Sequence, residues 1–212
     1  MKAGARQPTS PAELPVLRGE RVLLRQPVAE QDLAARLEVP PDTELHRMYG
    51  GSGGPAPLSP ERAREFLDGF ADQDLSAVRR FLIAALTWPD GQPIGPAEGR
   101  YIGHVRLTVL LWHARSARLA LGIYDRRFWS RGYGTEAIRL LLRYAFDDLG
   151  LHRVDLLVIE YNARAIRAYE KCGFVREGVV RESALVDGAW YGDIQMSILE
   201  HEYRAQPWAS RA

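Results

Sequence analysis

A single cysteine, Cys172, stands in a chain of 212 residues. No disulfide can close within it, and zinc-finger-type cysteine spacing is absent. A reducing, cytoplasmic setting fits that usage, and no metal site is expected. Charge of one sign is not in excess either. Lysine and arginine total 28 against 27 aspartates and glutamates, a formal net charge of +1. The basic surplus of a nucleic-acid binder is missing, so no nucleic-acid partner is expected. No apolar run approaches the ~20 residues of a membrane-spanning helix, and no membrane partner is expected. The start, MKAGARQPTSPAELP, lacks the apolar stretch of a signal peptide. Internal repeats are absent as well. What remains suits one globular domain, with 46% hydrophobic residues. The expected division is a loose N-terminal arm over 1–18, a single domain over 19–204 and a C-terminal tail over 205–212.

The elements follow from periodicity and punctuation. ERVLLRQP (20–27) reads as a strand ended by Pro27, and Val28, Leu33, Leu37 and Val39 have helical spacing. PPDTEL and YGGSGGPAPLSP then break the chain. Residues 42–58 are expected to be mobile and to become ordered when an acceptor binds, because glycine raises the entropic cost of ordering. Ser59 caps the next helix, with Pro60 in its first turn. RFLIAALTW (80–88), RYIGHVRLTVLLW (100–112) and ARLALGIYD (117–125) are β-rich neighbours, which predicts antiparallel pairing. A helix then runs to about Leu149, with Ile138, Leu141, Leu142, Ala145 and Leu149 on its apolar face. RVDLLVIE (153–160) is a strand. NARAIRAYEKC (162–172) is a short helix, capped by Asn162 and stopped by Gly173. Asp187-Gly188 marks a closing hairpin. The crossover from 117–125 to 153–160 makes a locally parallel pair inside a mostly antiparallel sheet. The fold class is therefore α+β, a mixed sheet flanked by helices.

One stretch asks for a ligand: FWSRGYGTEAIRLLLRYAF, residues 128–146. A glycine loop that opens a helix exposes backbone N–H groups without partners, at the positive end of the helix dipole. Gly132 and Gly134 allow close approach, Arg131 adds charge, and phosphate is the ligand such a place suits. A Walker loop is excluded, since Gly-Lys-Ser/Thr is missing. GYGTEA does match a dinucleotide loop, with Asp155 about 20 residues further on. However, RRFWSR separates strand from loop and several strands come first, so a dinucleotide-binding oxidoreductase is disfavoured.

Read with VIEYNARAIRAYEKCGF, the stretch WSRGYGTEA resembles the GNAT superfamily of acetyl-CoA-dependent N-acetyltransferases. The resemblance extends to ERVLLRQPVAEQDL near the start and VVRESALVDGAWYGDIQMSILEHEY near the end, so it covers roughly residues 20–203. It is nearest the RimJ/RimL-like branch of ribosomal-protein and spermidine acetyltransferases. It implies a parallel strand pair splayed around acetyl-CoA. The family's Gln/Arg-x-x-Gly-x-Gly/Ala falls on Trp129-Ser130-Arg131-Gly132-Tyr133-Gly134, followed by Thr135, and Trp129 departs from the pattern. The resemblance sets the pantetheine arm beside Gly122, Ile123 and Tyr124. It gives Asn162 a cofactor contact in addition to its capping role, and it sets Tyr169 near the sulfur.

Acetyl transfer to an amine has three demands. The amine must lose its proton, the carbonyl oxygen needs donors, and the departing thiolate needs a proton. Backbone N–H groups of the 119–124 strand can supply the donors, and Tyr169 the last proton. The base is open, because RLALGI lacks the glutamate many relatives carry there. His104, Glu136, Glu182, Asp193 and water are the candidates, with Glu136 also suited to the helix dipole. Cys172 reads as packing. Acceptor specificity is expected in 42–58 and in the 183–193 hairpin, where Asp42, Glu44, Tyr49 and Tyr191 suit a cationic amine. The acceptor is a small amine or a protein N-terminus. Assembly is open, with a homodimer among the options. The alternative reading is a catalytically inactive acyl-CoA-binding sensor or assembly module of the same fold.

Overall fold

The computed structural model describes residues 14–209. Most of the expected arm and the last three residues of the expected tail lie outside the described residues. Apolar alternation builds a single sheet. β1 (Leu17–Arg18) pairs with β2 (Val22–Arg25), so the arm expected over 1–18 closes with two residues of strand. Helices α1 (Ala29–Leu37), α2 (Thr43–Met48) and α3 (Pro60–Asp68) come next. Strands β3 (Val78–Ala85), β4 (Arg100–Leu111) and β5 (Ser116–Ile123) pair antiparallel in sequence order. α4 (Tyr133–Arg143) continues through a wider π-type turn, Tyr144–Asp148. β6 (Arg153–Ile159), α5 (Ala163–Glu170), the hairpin of β7 (Val175–Val186) and β8 (Ala189–Leu199), and α6 (Glu200–Arg204) complete the order. The eight strands lie in the order β1-β2-β3-β4-β5-β6-β8-β7. This is the expected mixed α+β sheet.

Both faces are covered. Ala137, Ile138, Leu141 and Leu142 of α4 are fully buried against Phe81, Leu119, Val154 and Leu156. Each such large side chain withdrawn from water contributes about 1.5–3 kcal/mol. On the other face, Leu33 of α1 and Ala63, Leu67 and Phe70 around α3 pack on Leu82 and Tyr101. The join of α1 to β2 is ionic as well as apolar. Arg25 donates two bonds to Asp32, at 2.7 and 2.8 Å, and Asp32 also accepts from the Val28 N–H at 2.6 Å. Residues 205–209 of the expected tail fold back. Trp208 meets the Tyr203 ring at 5.7 Å, Arg143 donates to the Trp208 carbonyl at 2.5 Å, and Ala209 is buried. No helix among the described residues is long and apolar enough to cross a membrane.

One join is incomplete, and it positions the site. β5 and β6 run parallel and pair only at Ser116↔Arg153, Ala117↔Val154 and Arg118↔Asp155. Arg118 Nε pins that end to Asp155 at 2.6 Å. Further along, β5 stays paired with β4 as far as Ile123, and β6 with β8 as far as Ile159. Each strand follows its outer neighbour, sheet twist carries the two apart, and the sheet opens in its middle.

The far edge yields a test of pH dependence. Arg153 donates to both carboxylate oxygens of Glu177 on β7, at 2.7 and 2.6 Å, and Ser197 adds a bond at 2.8 Å. The Arg153 hydrogen bond, first among the causes, holds the Glu177 carboxyl at about 2, below its ordinary 4.5. A carboxylate with a depressed folded-state value stabilises the fold fully above the unfolded value and loses that contribution as pH falls through the folded one. Wild type is therefore expected to exceed Glu177→Gln in denaturant midpoint at pH 6. The gap should narrow as pH drops from 4.5 towards 2. A gap that is constant across that window would reject the ion pair as its source.

Candidate active site

The turn before α4 has two left-handed residues, Ser130 at φ 55° and Gly132 at φ 90°. Gly132 tolerates that conformation because it has no Cβ. Side chains of Asp42, Ser59 and Asn162 cap α2, α3 and α5, whereas α4 has no side-chain cap. The N–H groups of Tyr133, Gly134 and Thr135 therefore point out of the helix without a capping acceptor. Gly134 is not a glycine for want of room within the protein. A Cβ there would lie 3.8 Å from Ile123 Cγ1 and from Leu121 Cδ2, an ordinary contact. Its absence instead leaves the backbone open to a ligand. Tyr133 turns its ring inward, with its hydroxyl donating to the Thr87 carbonyl at 2.7 Å. Ser130 and Arg131 are exposed at the rim. Glu136 faces away from the chemistry. It accepts from the backbone N–H of Arg21 at 2.9 Å and from Arg21 Nε at 3.2 Å.

From this turn a cleft of about 790 Å³ runs into the opening between β5 and β6. The Tyr124 N–H donates to Ile102 on β4 at 2.8 Å. Strand alternation then aims the N–H and C=O groups of Leu121 and Ile123 the other way, at the opening. Two side chains take the carbonyls. Tyr49 Oη donates to Leu121 O and Trp129 Nε1 to Ile123 O, both at 2.8 Å. The departure at Trp129 thus closes the end of the opening. Its ring has the Arg164 guanidinium 3.5 Å and the Arg126 guanidinium 4.8 Å from its centroid. Arg126 in turn pairs with Asp42 and Glu44.

Ala120, Leu121 and Ile123 line the cleft, but Gly122 and Tyr124 do not. A Cβ on Gly122 would strike the Tyr49 hydroxyl, so this glycine admits the tyrosine. Tyr124 lines a second cavity of about 230 Å³ under α2. Its hydroxyl meets His104 Nδ1. His104 packs against the Phe66 and Phe70 rings, and burial pushes its pKa down to about 4, with Arg106 adding to the shift. It is a neutral imidazole on the α3 side, away from the cleft.

Asn162 and Tyr169 of α5 both line the cleft. Asn162 Oδ1 accepts from the Ala165 N–H at 3.1 Å, which leaves its amide N–H groups for a ligand. Tyr169 is 6% exposed, and burial raises its pKa, so it keeps its proton at neutral pH. Cys172 is buried, its thiol pushed up to about 12 chiefly by burial, and it donates to the Thr135 carbonyl at 3.6 Å. Glu182 sits exposed in the bulge of β7, at φ 50°, and does not line the cleft. Asp193 does line it.

The two segments expected to govern the acceptor meet each other. Gly53 N donates to Asp187 Oδ1 at 2.7 Å, Asp187 N to Ser52 Oγ at 2.9 Å, and Arg47 pairs with Asp187 at 2.6 Å. Part of 42–58 is helical, since α2 starts on Asp42. Leu45 and Met48 of α2 line the cleft, as do Arg164 and Leu185; sequence reasoning reached the segments that carry Leu45, Met48 and Leu185 without naming those residues, and missed Arg164. The signal for the first two was the Asp42 cap followed by apolar residues three apart.

A family model described as an acetyltransferase (GNAT) domain matches residues 21–175. Spermidine N(1)-acetyltransferase of Escherichia coli K12 is 30% identical over 128 residues, 60% of this chain and 62% of that protein. The chain thus spans about three fifths of that relative's length. The uncharacterized N-acetyltransferase YoaA of Bacillus subtilis is 27% identical over 88% of this chain and 97% of its own. Among solved structures, a Vibrio cholerae spermidine N-acetyltransferase in complex with CoA and spermine superposes with a TM-score of 0.65. It is 25% identical and covers 86% of this chain and 98% of that one. A GNAT-family acetyltransferase from Bacillus anthracis shares the fold, with a TM-score of 0.69 at 20% identity, over 88% of this chain and 99% of its own. Because the family match takes in the sheet from β2 to the start of β7, with the glycine turn and α5 between, the chain belongs to the GNAT acetyltransferase family.

Proposed function

We propose that the protein is an acetyl-CoA-dependent N-acetyltransferase that moves the acetyl group directly to a primary amine, working as one domain over 19–204 in the cytoplasm. The reading rests on one observation. Unpartnered N–H groups at the start of α4 continue into the open edge of β5 at Leu121 and Ile123, along a single cleft. That row suits a ligand with phosphates at one end and amides along its length. Bound acetyl-CoA supplies an acetyl group already activated as a thioester.

The chain's own residues then have separable tasks. The N–H groups of Tyr133, Gly134 and Thr135 hold the pyrophosphate. Asn162 and the N–H groups of Leu121 and Ile123 orient the arm, and the latter steady charge on the carbonyl oxygen. Tyr169 holds a proton for the departing sulfur. The amine enters from the opposite face, between α2 and the β7–β8 hairpin. The named activity of the spermidine acetyltransferase relatives supports an amine acceptor.

Thermal unfolding tests the cofactor. A ligand at 100 times its Kd that binds only the native state adds about 2.7 kcal/mol. Acetyl-CoA is expected to raise the midpoint by several degrees, and NAD(P) to leave it unchanged. No shift with acetyl-CoA, or a shift with NAD(P) alone, would reject this reading.

A further inference from the structure

The cations lining the cleft, Arg164, Arg167 and Lys171, all belong to α5 or its end, and Arg164 is taken up by the Trp129 ring and by Glu44 of α2 at 3.9 Å. The carboxylate lining of the cleft, among the described residues, is Asp193 alone. Asp193 sits on β8 opposite Ile159 of β6. Its successors Ile194, Met196 and Ile198 are buried in the core with α4 and α5. Strand alternation therefore sets Asp193 on the other face of the sheet. That is the face α2 covers, where Tyr49 stands over Gly122. Asp193 is half-buried, and while its backbone is paired with β6 and β7, its carboxylate makes no hydrogen bond or ion pair among the described residues. Two neighbouring acids are already engaged. Glu160 accepts from the Gly192 N–H at 2.8 Å, and Asp187 is held by Gly53 and Arg47.

The walls around Asp193 are apolar and unusually open. Leu157 is 39% exposed although it lies on a central strand, Leu185 is 47% exposed and Tyr49 55%. All three line the cleft, as do Leu45 and Met48 of α2. Large apolar side chains left open together mark a binding surface.

Resting on the acetyltransferase reading above, we propose that Asp193 is the acceptor anchor and that the acceptor is a small primary monoamine carried on an apolar body. One carboxylate compensates one ammonium. A polyamine would bring further cations against leucine and methionine walls that offer them no partner, at a desolvation cost. The proton account closes. One proton passes from the ammonium to solvent, which frees the nitrogen lone pair. The nitrogen forms the C–N bond as the C–S bond breaks. Tyr169 gives its proton to the sulfur and regains one from the nitrogen. One ammonium and one thioester thus yield one amide, one thiol and one proton.

The test compares 2-phenylethylamine with spermidine on the full chain, with acetyl-CoA binding measured separately by calorimetry. Wild type is expected to favour 2-phenylethylamine at least about tenfold in kcat/KM. Asp193→Asn should lower kcat/KM for that amine by about 10–100-fold, the worth of a charge-assisted hydrogen bond. Most of the loss should appear in the amine KM, and acetyl-CoA affinity should stay within about threefold. Asp193→Glu should recover part of it. An Asp193→Asn enzyme within about threefold of wild type would overturn the anchor. Preference for spermidine, or acetylation of peptide N-termini without the monoamine, would overturn the acceptor class. Failure of wild type to bind acetyl-CoA would instead strike the underlying acetyltransferase reading, and this inference with it.

Discussion

Gly134→Asp is expected to fold normally and to bind acetyl-CoA at least about 100-fold more weakly than wild type, the cost of setting an uncompensated charge against a charge-assisted site. The position leaves room for the new Cβ, with the nearest protein atoms at 3.8 Å, and its φ lies outside the left-handed region. Stability should therefore change little. The carboxylate, however, would project where the phosphates are proposed to meet the N–H groups of α4. It would satisfy the same donors from within, as an aspartate near a helix start does. Gly132 makes a poorer test, because φ 90° strains any replacement and a Cβ there would sit 2.8 Å from Arg21 Nη2. Circular dichroism and a thermal midpoint establish folding, and calorimetry reads the affinity. Wild-type affinity in a folded Gly134→Asp protein would sink the phosphate cradle.

Tyr169→Phe is expected to lower kcat by about 10²–10⁴ while acetyl-CoA affinity moves by less than about tenfold. The ring is packed against Phe174, with centroids 5.7 Å apart, and phenylalanine keeps that contact. Only the hydroxyl is lost. Burial raises its pKa, so it is protonated at neutral pH, as the proposed donation to the developing thiolate requires. A residue that served packing alone would tolerate phenylalanine in both stability and turnover. Near-normal kcat in a folded variant, with chemistry shown to limit the rate, would reject the general-acid role.

Much of this arrangement was legible in the residues, and the gaps have physical causes. Strands at 80–88, 100–112 and 153–160 and the helix after Gly134 carry long periodic signals, and the structure has elements there. The parallel pair followed from a crossover that needs no knowledge of contacts. Facing was harder to read. His104 and Asp193 are both polar residues on strands, and no local pattern tells which side of the sheet each takes. Both in fact sit on the face away from α4, since Val105 beside His104 and Ile194 and Met196 beside Asp193 join α4 in the core; what separates them is cover, the Phe66 and Phe70 rings closing over His104 while Asp193 lines the cleft. α2 was hidden for another reason. Its six residues lie between Pro41 and the glycines from Gly50 onward, so breakers on both sides masked a short helix with a good cap. Glu136 was read for its helix dipole, and the distant Arg21 that also claims it could not be found from spacing.

The opening between β5 and β6 gives the sheet an interior edge. Ordinary edges are guarded by being short or bent, as β1 and β7 are here. At the interior edge, Tyr49 and Trp129 occupy two carbonyls and leave the neighbouring N–H groups unclaimed. A guest that presents amide oxygens at strand spacing would complete the ladder from inside. Recognition of the proposed cofactor there would be a form of β-augmentation, in which a chemically foreign molecule is accepted because it imitates a polypeptide backbone. Short extended peptides and their mimetics would on that reading compete for the cleft.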